Sequence, residues 1–592
     1  MAAPRIIVVG GGLAGLAAVI KIAEASGAVD LFSIVPVKRS HSVCAQGGIN
    51  AAKNLKGEGD TTFKHFDDTI YGGDFLANQT PVKAMCEAGP GIIDLLDRMG
   101  VPFNRTPEGL LDFRRFGGTL FHRTAFAGAT TGQQLLYALD EQVRRFEAEG
   151  KVNKFEGWEF LSVVLDSKGA ARGIMAMDLR SMEVRSFPAD AVILATGGNG
   201  AIFGKSTNSV VCTGSAQSAV FQQGAFYANG EFIQVHPTCI PGEDKLRLMS
   251  ESARGEGGRV WVPRKAGDKR DGKQIPEADR WYFLEEWYPR YGNLVPRDVA
   301  TRAIHKVVYE NGLGIDGQPM VYLDLSHIDE HTLNRKLGGI LEIYEKFVGV
   351  DPRHHPMKIF PGMHYTMGGL WVDFDQMTNI PGLFAAGECE YQYHGANRLG
   401  ANSLLSCIFG GFTAGPNALR YAKNAPAAEG DGGHAAELKR QQEINASLLN
   451  NDGNENPFRL WRELGDTMTK HATVIRYNKG LKEADEKIVS LIERSKKINL
   501  SDRSQWANTS FAFARQLKNM LELARVIVQG AALRDESRGA HYKPDFPERN
   551  DEKFLKTTKA SFTGSVEGPR LELEAVDTAH IQPRPRRYDA SN

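Results

Sequence analysis

Clustered cysteines are missing from this sequence. Its 592 residues include only six cysteines, and no two of them form a C-x-x-C pair. Iron–sulfur clusters and structural zinc sites both need several thiolates close together, so we predict no metal site in this chain. The six cysteines are expected to be buried, reduced thiols.

The sequence also lacks an excess of charge of either sign and a long apolar run. Lys plus Arg and Asp plus Glu number 71 each, which argues against a nucleic-acid partner. Every apolar run falls short of the roughly 18 residues that a membrane-spanning helix needs. A strand pattern begins at residue 5 and leaves no room for a signal peptide. We therefore expect a chain that begins as a mature cytosolic protein and has no transmembrane segment.

The patterns that are present predict a nucleotide-binding α/β sheet. Residues 5–9 form a short β-branched strand, a glycine turn follows, and residues 13–25 have a helical pattern before a second strand at 29–34. Two further strand patterns, at 191–195 and 382–388, also end in glycine-rich segments. Strands so widely separated in the sequence predict one Rossmann-like sheet that is interrupted by an insertion.

The rest of the chain divides around this sheet. We predict domain limits of 1–235 and 352–424 for the two parts of the nucleotide-binding domain, and 236–351 for the insertion. A Pro/Gly/Ala-rich linker at 424–433 precedes four helical patterns, which predict a helical bundle over 434–540. The four patterns are 435–449, 457–469, 482–497 and 511–533. The polar remainder, 541–592, is expected to be an irregular segment lying along a surface of this chain or of a partner.

A glycine motif lies between the first strand and the first helix. Its G-x-G-x-x-G pattern uses Gly10 for the tight turn, Gly12 for close approach to a pyrophosphate and Gly15 for helix–strand packing. Leu13 and Ala14 begin the helix, whose N–H groups can bind the anion. An NAD site usually has an acidic residue about 20 positions later, but the second strand ends at Ser33 without one. This difference favours FAD over NAD.

The segment RSHSVCAQGGIN, at 39–50, resembles the flavin-attachment motif of succinate dehydrogenase and fumarate reductase flavoproteins. The resemblance continues along nearly the whole chain. The matching blocks are FGGTLFHR (116–123), ATGGNG (195–200), HPT (236–238), SESARGEGG (250–258), PRDVATR (296–302), HYTMGG (364–369), GLFAAGE (382–388), HGANRLGANSL (394–404) and ESRGAHYKPDFPERND (536–551). The wording of TGSAQSAVFQQGAFYANGEFIQVHPT (213–238) and KIFPGMHYTMGGLWVD (358–373) is similar to the bacterial, menaquinone-linked branch of respiratory complex II.

The resemblance implies a Rossmann-like FAD-binding domain, an α+β capping domain as the insertion, and a covalent bond between the flavin and a ring nitrogen of His41. Glu388 is expected to contact the FAD ribose, and the helix near Ser403 and Leu404 to point its positive end at the flavin pyrimidine. The remaining FAD contacts implied by the resemblance are Ser33, Ser40, Ser42, Gly47, Gly48, Ala195, Thr196, Gly197, Ser215 and Arg398.

The resemblance also implies the substrate site. Succinate oxidation removes a hydride, which the flavin accepts, and a proton from the neighbouring carbon. Two carboxylates need several fixed donors, and the matching residues are His236, Ser250, His364 and Arg398. Arg398 can hold a carboxylate through two parallel hydrogen bonds. Phe116 matches a residue that packs against the substrate and excludes water.

The proton is assigned by resemblance to Arg297, although a guanidinium is normally protonated and must pass a proton on at once. Glu251 and Arg254 match the family's relay from this arginine to solvent. Their i,i+3 spacing alone is more typical of a simple ion pair on one helix face.

The sequence departs from the family pattern at two positions. Many members have T-G-D-G where this chain has Ser215 and Ala216, so an acidic contact near the flavin is replaced. Ser250 stands where threonine is common, which keeps the hydroxyl. Neither change alters the assignment, although the first leaves the local hydrogen bonding open.

The resemblance further implies an iron–sulfur subunit and a cytochrome b-type membrane anchor as partners, with succinate and fumarate as substrate and product. The chain would then be a peripheral protein on the cytoplasmic face of the inner membrane. The sequence leaves open whether succinate oxidation or fumarate reduction is the physiological direction.

Two other functions are consistent with parts of this pattern. L-Aspartate oxidase has a similar fold and dicarboxylate site but lacks the flavin-linking histidine, so His41 argues against it. A non-catalytic flavin-fold scaffold would not need Arg297, His364 and Arg398, all of which stand in their motifs.

Overall fold

The computed structural model describes residues 4–240, 242, 245–426 and 431–588. Its centre is a five-stranded parallel sheet, in which all strands but the edge strand Val152–Glu156 are largely buried on both faces, as the continuous apolar patterns predict. In spatial order the strands are Leu383–Ala385, Ala191–Leu194, Arg5–Val9, Ala28–Ser33 and Val152–Glu156. The predicted strands are therefore neighbours in one sheet. For example, Arg5–Val9 pairs directly with Ala191–Leu194, which is far away in the sequence.

Two long helices cover one face of this sheet. The helix Leu13–Glu24 packs closely on the helix Asn402–Asn424 because the second helix has glycines at the contact. A Cβ atom on Gly411 would lie 2.3 Å from the carbonyl oxygen of Ala14. The G-G-x-x-x-G spacing of 410–415 is therefore a packing signal. The close contact brings the helix that follows the glycine motif against the helix that contains Ser403 and Leu404.

Other elements complete the nucleotide-binding domain. Its remaining long helices are Thr62–Gly72, Gln79–Arg98 and Thr131–Ala148. Two small antiparallel sheets flank it, one of Trp158–Leu165, Ala171–Asp178 and Val184–Pro188, the other of Ile49–Asn50, Phe113–Arg114 and Thr124–Ala125.

The insertion is built on a six-stranded sheet with antiparallel pairing. Its strands, in spatial order, are Arg247–Leu248, Ile233–Ile240, Met357–Thr366, Val321–Asp324, Arg259–Pro263 and Arg280–Trp281. The helices Arg297–His305 and Glu330–Val348 pack on it around a separate hydrophobic core. The strands by which the chain enters and leaves the insertion pair with each other, at 233–240 and 357–366. The domain limits at 236 and 351 remain a prediction.

Four helices follow, His434–Leu449, Pro457–His471, Asn478–Ser495 and Thr509–Leu533. The predicted helical bundle is confirmed. Buried side chains of the last three helices, such as Leu464 and Leu517, belong to the same core as Ile7 and Phe32 of the parallel sheet. Part of the predicted linker, 427–430, lies outside the described residues.

The prediction of a wholly irregular C-terminal segment is wrong. The strands Lys556–Ser561 and Arg570–Ala575 form an antiparallel hairpin, which joins the strand Tyr227–Ala228. The second strand reads RLELEA, with the period of two that a half-buried strand requires, but it is short and polar. Cross-strand pairing stabilises it, since Lys559 Nζ lies 2.6 Å from a carboxylate oxygen of Glu574.

Candidate active site

A cavity of about 520 Å³ lies where the carboxyl ends of the parallel strands meet the capping sheet. All but two of the predicted site residues line it. The exceptions are Gly15, whose Cβ would lie 1.8 Å from the carbonyl oxygen of Gly10, and Arg254, which lies behind Glu251. Ligands of open α/β sheets bind at this edge, so the position agrees with a nucleotide cofactor.

The glycine turn forms one end of the cavity. Gly10 has a φ of +119°, and a Cβ there would lie 2.1 Å from the carbonyl oxygen of Ala195, so only glycine fits. The helix Leu13–Glu24 begins directly after Gly12 and directs its N-terminus into the cavity. The N–H of Leu13 donates to Ser42 Oγ at 3.2 Å. The turn thus brings the flavin-attachment segment against the predicted pyrophosphate site.

His41 is held by two residues that the sequence analysis missed. The N–H of Ser209 donates to His41 Nδ1 at 3.2 Å, and Nε2 faces the side-chain amide of Asn208 at 3.1 Å. Burial, and then the charge of Lys245, lower the pKa of His41 to about 4. The imidazole is therefore neutral at physiological pH, which is the form that can use a nitrogen lone pair to bond carbon.

Several buried polar atoms of the cavity have no protein partner among the described residues. Ser40 Oγ and Thr196 Oγ1 are two such atoms of residues that line the cavity. Glu388 accepts a hydrogen bond from the N–H of Thr366 at 3.1 Å, and burial raises its pKa to about 7. Buried polar groups normally have partners, so these groups fit a polar ligand such as FAD.

Ser215, which stands where many family members have aspartate, contacts a helix of the helical domain. Ser215 begins the helix Ser215–Gln222, and its hydroxyl accepts a hydrogen bond from Asn519 Nδ2 at 2.8 Å. Asn519 belongs to the helix Thr509–Leu533, so this contact ties the helical domain to the cavity wall. At another wall, Ser403 and Leu404 lie in the first turn of the helix Asn402–Asn424 and line the cavity.

Cationic and neutral donors converge at the capping end of the cavity. The rings of His236 and His364 have centroids 5.0 Å apart. His236 Nδ1 accepts the N–H of Thr238 at 3.2 Å, so the ring proton of the neutral imidazole is on Nε2. His236 Nε2 and Arg398 Nε are both buried, with no partner among the described residues. Two unused donors in one buried cluster suit an anion.

Burial is the main cause of the low pKa values of both histidines, and the nearby arginines lower these values further. His236 and His364 are therefore neutral at physiological pH, a form in which each ring can still donate one hydrogen bond. Ser250 and Phe116 line the same end of the cavity. Ser250 Oγ lies 2.8 Å from Ser252 Oγ, and Phe116 is buried beside Gly47.

Glu251 joins the two predicted relay arginines. One carboxylate oxygen of Glu251 lies 2.8 Å from Arg297 Nε and 2.7 Å from Nη2. The other oxygen lies 2.9 Å from Arg254 Nη2 and accepts the N–H of Gly117 at 3.1 Å. Burial alone would raise the pKa of Glu251, but the two arginines outweigh it and hold the pKa below its usual value. Glu251 and Arg254 thus form an i,i+3 ion pair that also continues a chain of contacts from Arg297. Arg254 Nη1 extends this chain by donating to the backbone oxygen of Asn293 at 2.7 Å.

Gln234 is a site residue that the sequence analysis did not identify. Its Oε1 accepts hydrogen bonds from Arg297 Nη1 at 2.9 Å and from Arg398 Nη2 at 3.0 Å. Its Nε2 donates to the backbone oxygen of Arg398 at 2.7 Å. A signal was present, because Gln234 and His236 are two apart on one strand and therefore share a face.

Comparison with known proteins identifies the family. The FAD binding domain family matches residues 5–404, and the fumarate reductase flavoprotein C-terminal family matches residues 461–588. The chain is 64% identical to the succinate dehydrogenase flavoprotein subunit of Bacillus subtilis over 591 residues, which are 99% of each chain. The chain belongs to the succinate dehydrogenase and fumarate reductase flavoprotein family.

Other members of this flavoprotein family agree. The fumarate reductase flavoprotein subunit of Escherichia coli is 35% identical, with 98% of this chain and 95% of that protein covered. The solved quinol fumarate reductase chain of the same organism superimposes with a TM-score of 0.90 at 32% identity, covering 99% and 98% of the two chains. The predicted family, fold class, FAD cofactor and oxidoreductase activity of this flavoprotein are thereby confirmed. The individual residue roles remain predictions.

Replacing Gln234 of the flavoprotein with alanine is expected to lower kcat/KM for succinate by about 10- to 100-fold. Both site arginines would lose a shared acceptor, and without it they would repel each other and move apart. Steady-state kinetics measure the effect. Gln223→Ala is the matched control, since Gln223 Nε2 donates to the backbone oxygen of Val163. An unchanged kcat/KM in Gln234→Ala would contradict the positioning role.

Proposed function

We propose that this flavoprotein oxidises succinate to fumarate, reversibly, as the catalytic subunit of a succinate:quinone oxidoreductase. The observation that carries the proposal is the cluster of two arginines and two neutral histidines at one end of the FAD cavity. Such a cluster suits a small molecule with two carboxylates.

FAD supplies the hydride acceptor when it is bound. The turn at Gly10 and the helix that follows would hold its pyrophosphate, and the neutral His41 would form the covalent bond. Ser40, Thr196 and Glu388 would satisfy polar groups of the cofactor, since they are buried and still have free hydrogen-bonding capacity. These contacts fix the flavin relative to the donor cluster.

The substrate carboxylates would be held by His236 Nε2, Ser250, His364 and Arg398. These donors come from both the nucleotide-binding and the capping domains, so they align the substrate only when the two domains are in contact. Phe116 lines the same end and would keep water from the reacting carbons.

The proton from the substrate carbon would go to Arg297. A guanidinium can accept a proton only as it gives one up, and Glu251 contacts both Nε and Nη2 of Arg297. Glu251 would take that proton and pass it to Arg254 as Arg254 releases one of its own toward solvent, on the side where it contacts the partly exposed Asn293. The three side chains are nearly fully buried, so the proton has a defined path.

Electrons would leave the flavin for an iron–sulfur subunit and then a cytochrome b-type membrane anchor that serves menaquinone. The curated relatives are named flavoprotein subunits, which supports partner chains of some kind. Among the residues that the structure describes, no helix is long and apolar enough to cross a membrane. We infer a peripheral position on the cytoplasmic face of the membrane, held by these partners.

Anaerobic addition of succinate to the purified flavoprotein tests the proposal. Succinate should bleach the flavin absorbance, and fumarate should restore it. L-Aspartate and buffer alone are the controls. Bleaching by aspartate and not by succinate would overturn the proposal in favour of an aspartate oxidase.

Fumarate reduction as the physiological direction is the second candidate. Relatives named fumarate reductase are 34–35% identical, whereas the relative named succinate dehydrogenase from Bacillus subtilis is 64% identical, which favours succinate oxidation. The ratio of the two rates in membranes, with menaquinone and menaquinol, distinguishes the directions.

A further inference from the structure

The C-terminal residues 577–588, here called the strap, lie across two domains. The first part of the strap is anchored on the nucleotide-binding domain. Gln79 Oε1 accepts the N–H groups of His580 and Ile581 at 2.8 and 2.7 Å, and Arg584 Nη2 lies 2.7 Å from a carboxylate oxygen of Asp67. The hydroxyl of Tyr71 bonds to both the N–H and the carbonyl of Arg587, at 2.6 and 2.8 Å.

The last part of the strap reaches the capping domain. Arg586 binds Asp298 through two parallel hydrogen bonds of 2.6 and 2.9 Å, and the exposed fractions of the two side chains are 6% and 1%. The next anchor, Tyr588, is 5% exposed and belongs to the hydrophobic core of the capping domain. Its ring lies 5.0 Å from that of Tyr291. The strap therefore connects the two domains whose contact closes the active site.

The strap contacts the helix that carries Arg297. Asp298 is in the first turn of the helix Arg297–His305, directly after the predicted proton acceptor. One turn later, Arg302 Nη1 donates to the backbone oxygen of Gly539 at 2.6 Å, and Arg302 Nη2 lies 3.3 Å from Asp298. Segments beyond residue 530 thus hold this helix at two points.

We propose that Arg586 is a positioning residue for the reaction, because its ion pair with Asp298 sets the place of Arg297 against Glu251 and the substrate. The proposal rests on the proposed role of Arg297. A buried bidentate pair fixes both distance and orientation, and removing Arg586 would leave the buried Asp298 with the longer, 3.3 Å contact to Arg302 as its ion pair. A displacement of about 1 Å at a reacting group can cost about 100-fold in rate.

The test compares Arg586→Gln with Arg587→Gln in the assembled holoenzyme. Arg587 is the matched control, since it is the next residue, is exposed and bonds to Tyr71 through its backbone. We expect Arg586→Gln to lower kcat for succinate oxidation by about 10- to 100-fold. KM for succinate should change less than about threefold and the flavin content should stay the same, because the substrate donors and the FAD contacts remain.

A double variant, in which both members of the ion pair become neutral, provides a second test. Asp298→Asn combined with Arg586→Gln replaces two charges by two amides that can still bond, so its kcat should exceed that of Arg586→Gln alone. Arg586→Lys, which keeps the charge but not the fork, should be intermediate. If Arg586→Gln fails to fold, the double variant and Arg586→Lys decide the question.

Wild-type kcat in Arg586→Gln, or no recovery in the double variant, would overturn the positioning role. Failure of the proposed function is distinguishable, since wild-type enzyme itself would then not oxidise succinate.

Discussion

Replacement of Arg297 with lysine is expected to lower kcat for succinate oxidation by at least about 1000-fold. Arg297 uses Nε and Nη2 for Glu251 and Nη1 for Gln234, so three nitrogens of one planar group hold its position. Lysine has one nitrogen and cannot make these contacts together. Because lysine keeps the positive charge, the lower kcat would reflect impaired proton transfer and altered geometry rather than a change in the electrostatic field at the site.

Stopped-flow bleaching of the flavin by succinate measures this effect on the chemical step alone. Arg335→Lys is the control, because Arg335 is an exposed arginine of the same capping domain. A flavin content equal to wild type shows that the fold is kept. A rate within tenfold of wild type would mean that another group accepts the proton.

Replacement of His41 with alanine is expected to remove all covalently bound flavin. The cavity places the neutral His41 ring beside the glycine turn, where Ser209 and Asn208 hold both of its nitrogens in fixed directions. Alanine has no nucleophile. After unfolding in acid and denaturant, the wild-type band on a denaturing gel should show flavin fluorescence, and the His41→Ala band should show none.

His354→Ala is the matched control, since the His354 side chain is 55% exposed and lies at the surface beside Asp351. Fluorescence that persists in His41→Ala would place the attachment on another residue. Absence of fluorescence in the wild type would mean that the flavin is not covalently bound, and L-aspartate would then have to be compared with succinate as the substrate.

The nucleotide site could be predicted from sequence because its determinants are local. Gly10, Gly12 and Gly15 lie within six residues where a strand turns into a helix, and their G-x-G-x-x-G spacing is recognisable without knowledge of distant contacts. Family motifs added the substrate residues, which the structure gathers around one cavity. Gln234 shares a strand face with His236, but the sequence does not show that two arginines lie against this face, so the role of Gln234 emerges only from the structure.

The C-terminal segment shows the opposite case. Its polar composition suggested an irregular surface segment, yet it contains a hairpin and a strap with a buried arginine. The sequence does not reveal the structural role of the polar residues of this segment, because their partners lie far away in the chain. Arg586 and Asp298, for instance, are 288 positions apart, and only the fold shows that the two charges compensate each other.

The sequence alone therefore determined two things. Turn geometry and strand and helix periodicity, which neighbouring residues set, predicted the parallel sheet and its nucleotide site. Resemblance to family motifs implied the family, the FAD cofactor and the residues expected to do the chemistry. The tertiary structure decided how those residues are held. It gave His41 its partners, joined Arg297 and Arg398 through Gln234, and tied the Arg297 helix to the end of the chain. These contacts depend on which distant segments meet in the folded core, and no local pattern encodes that.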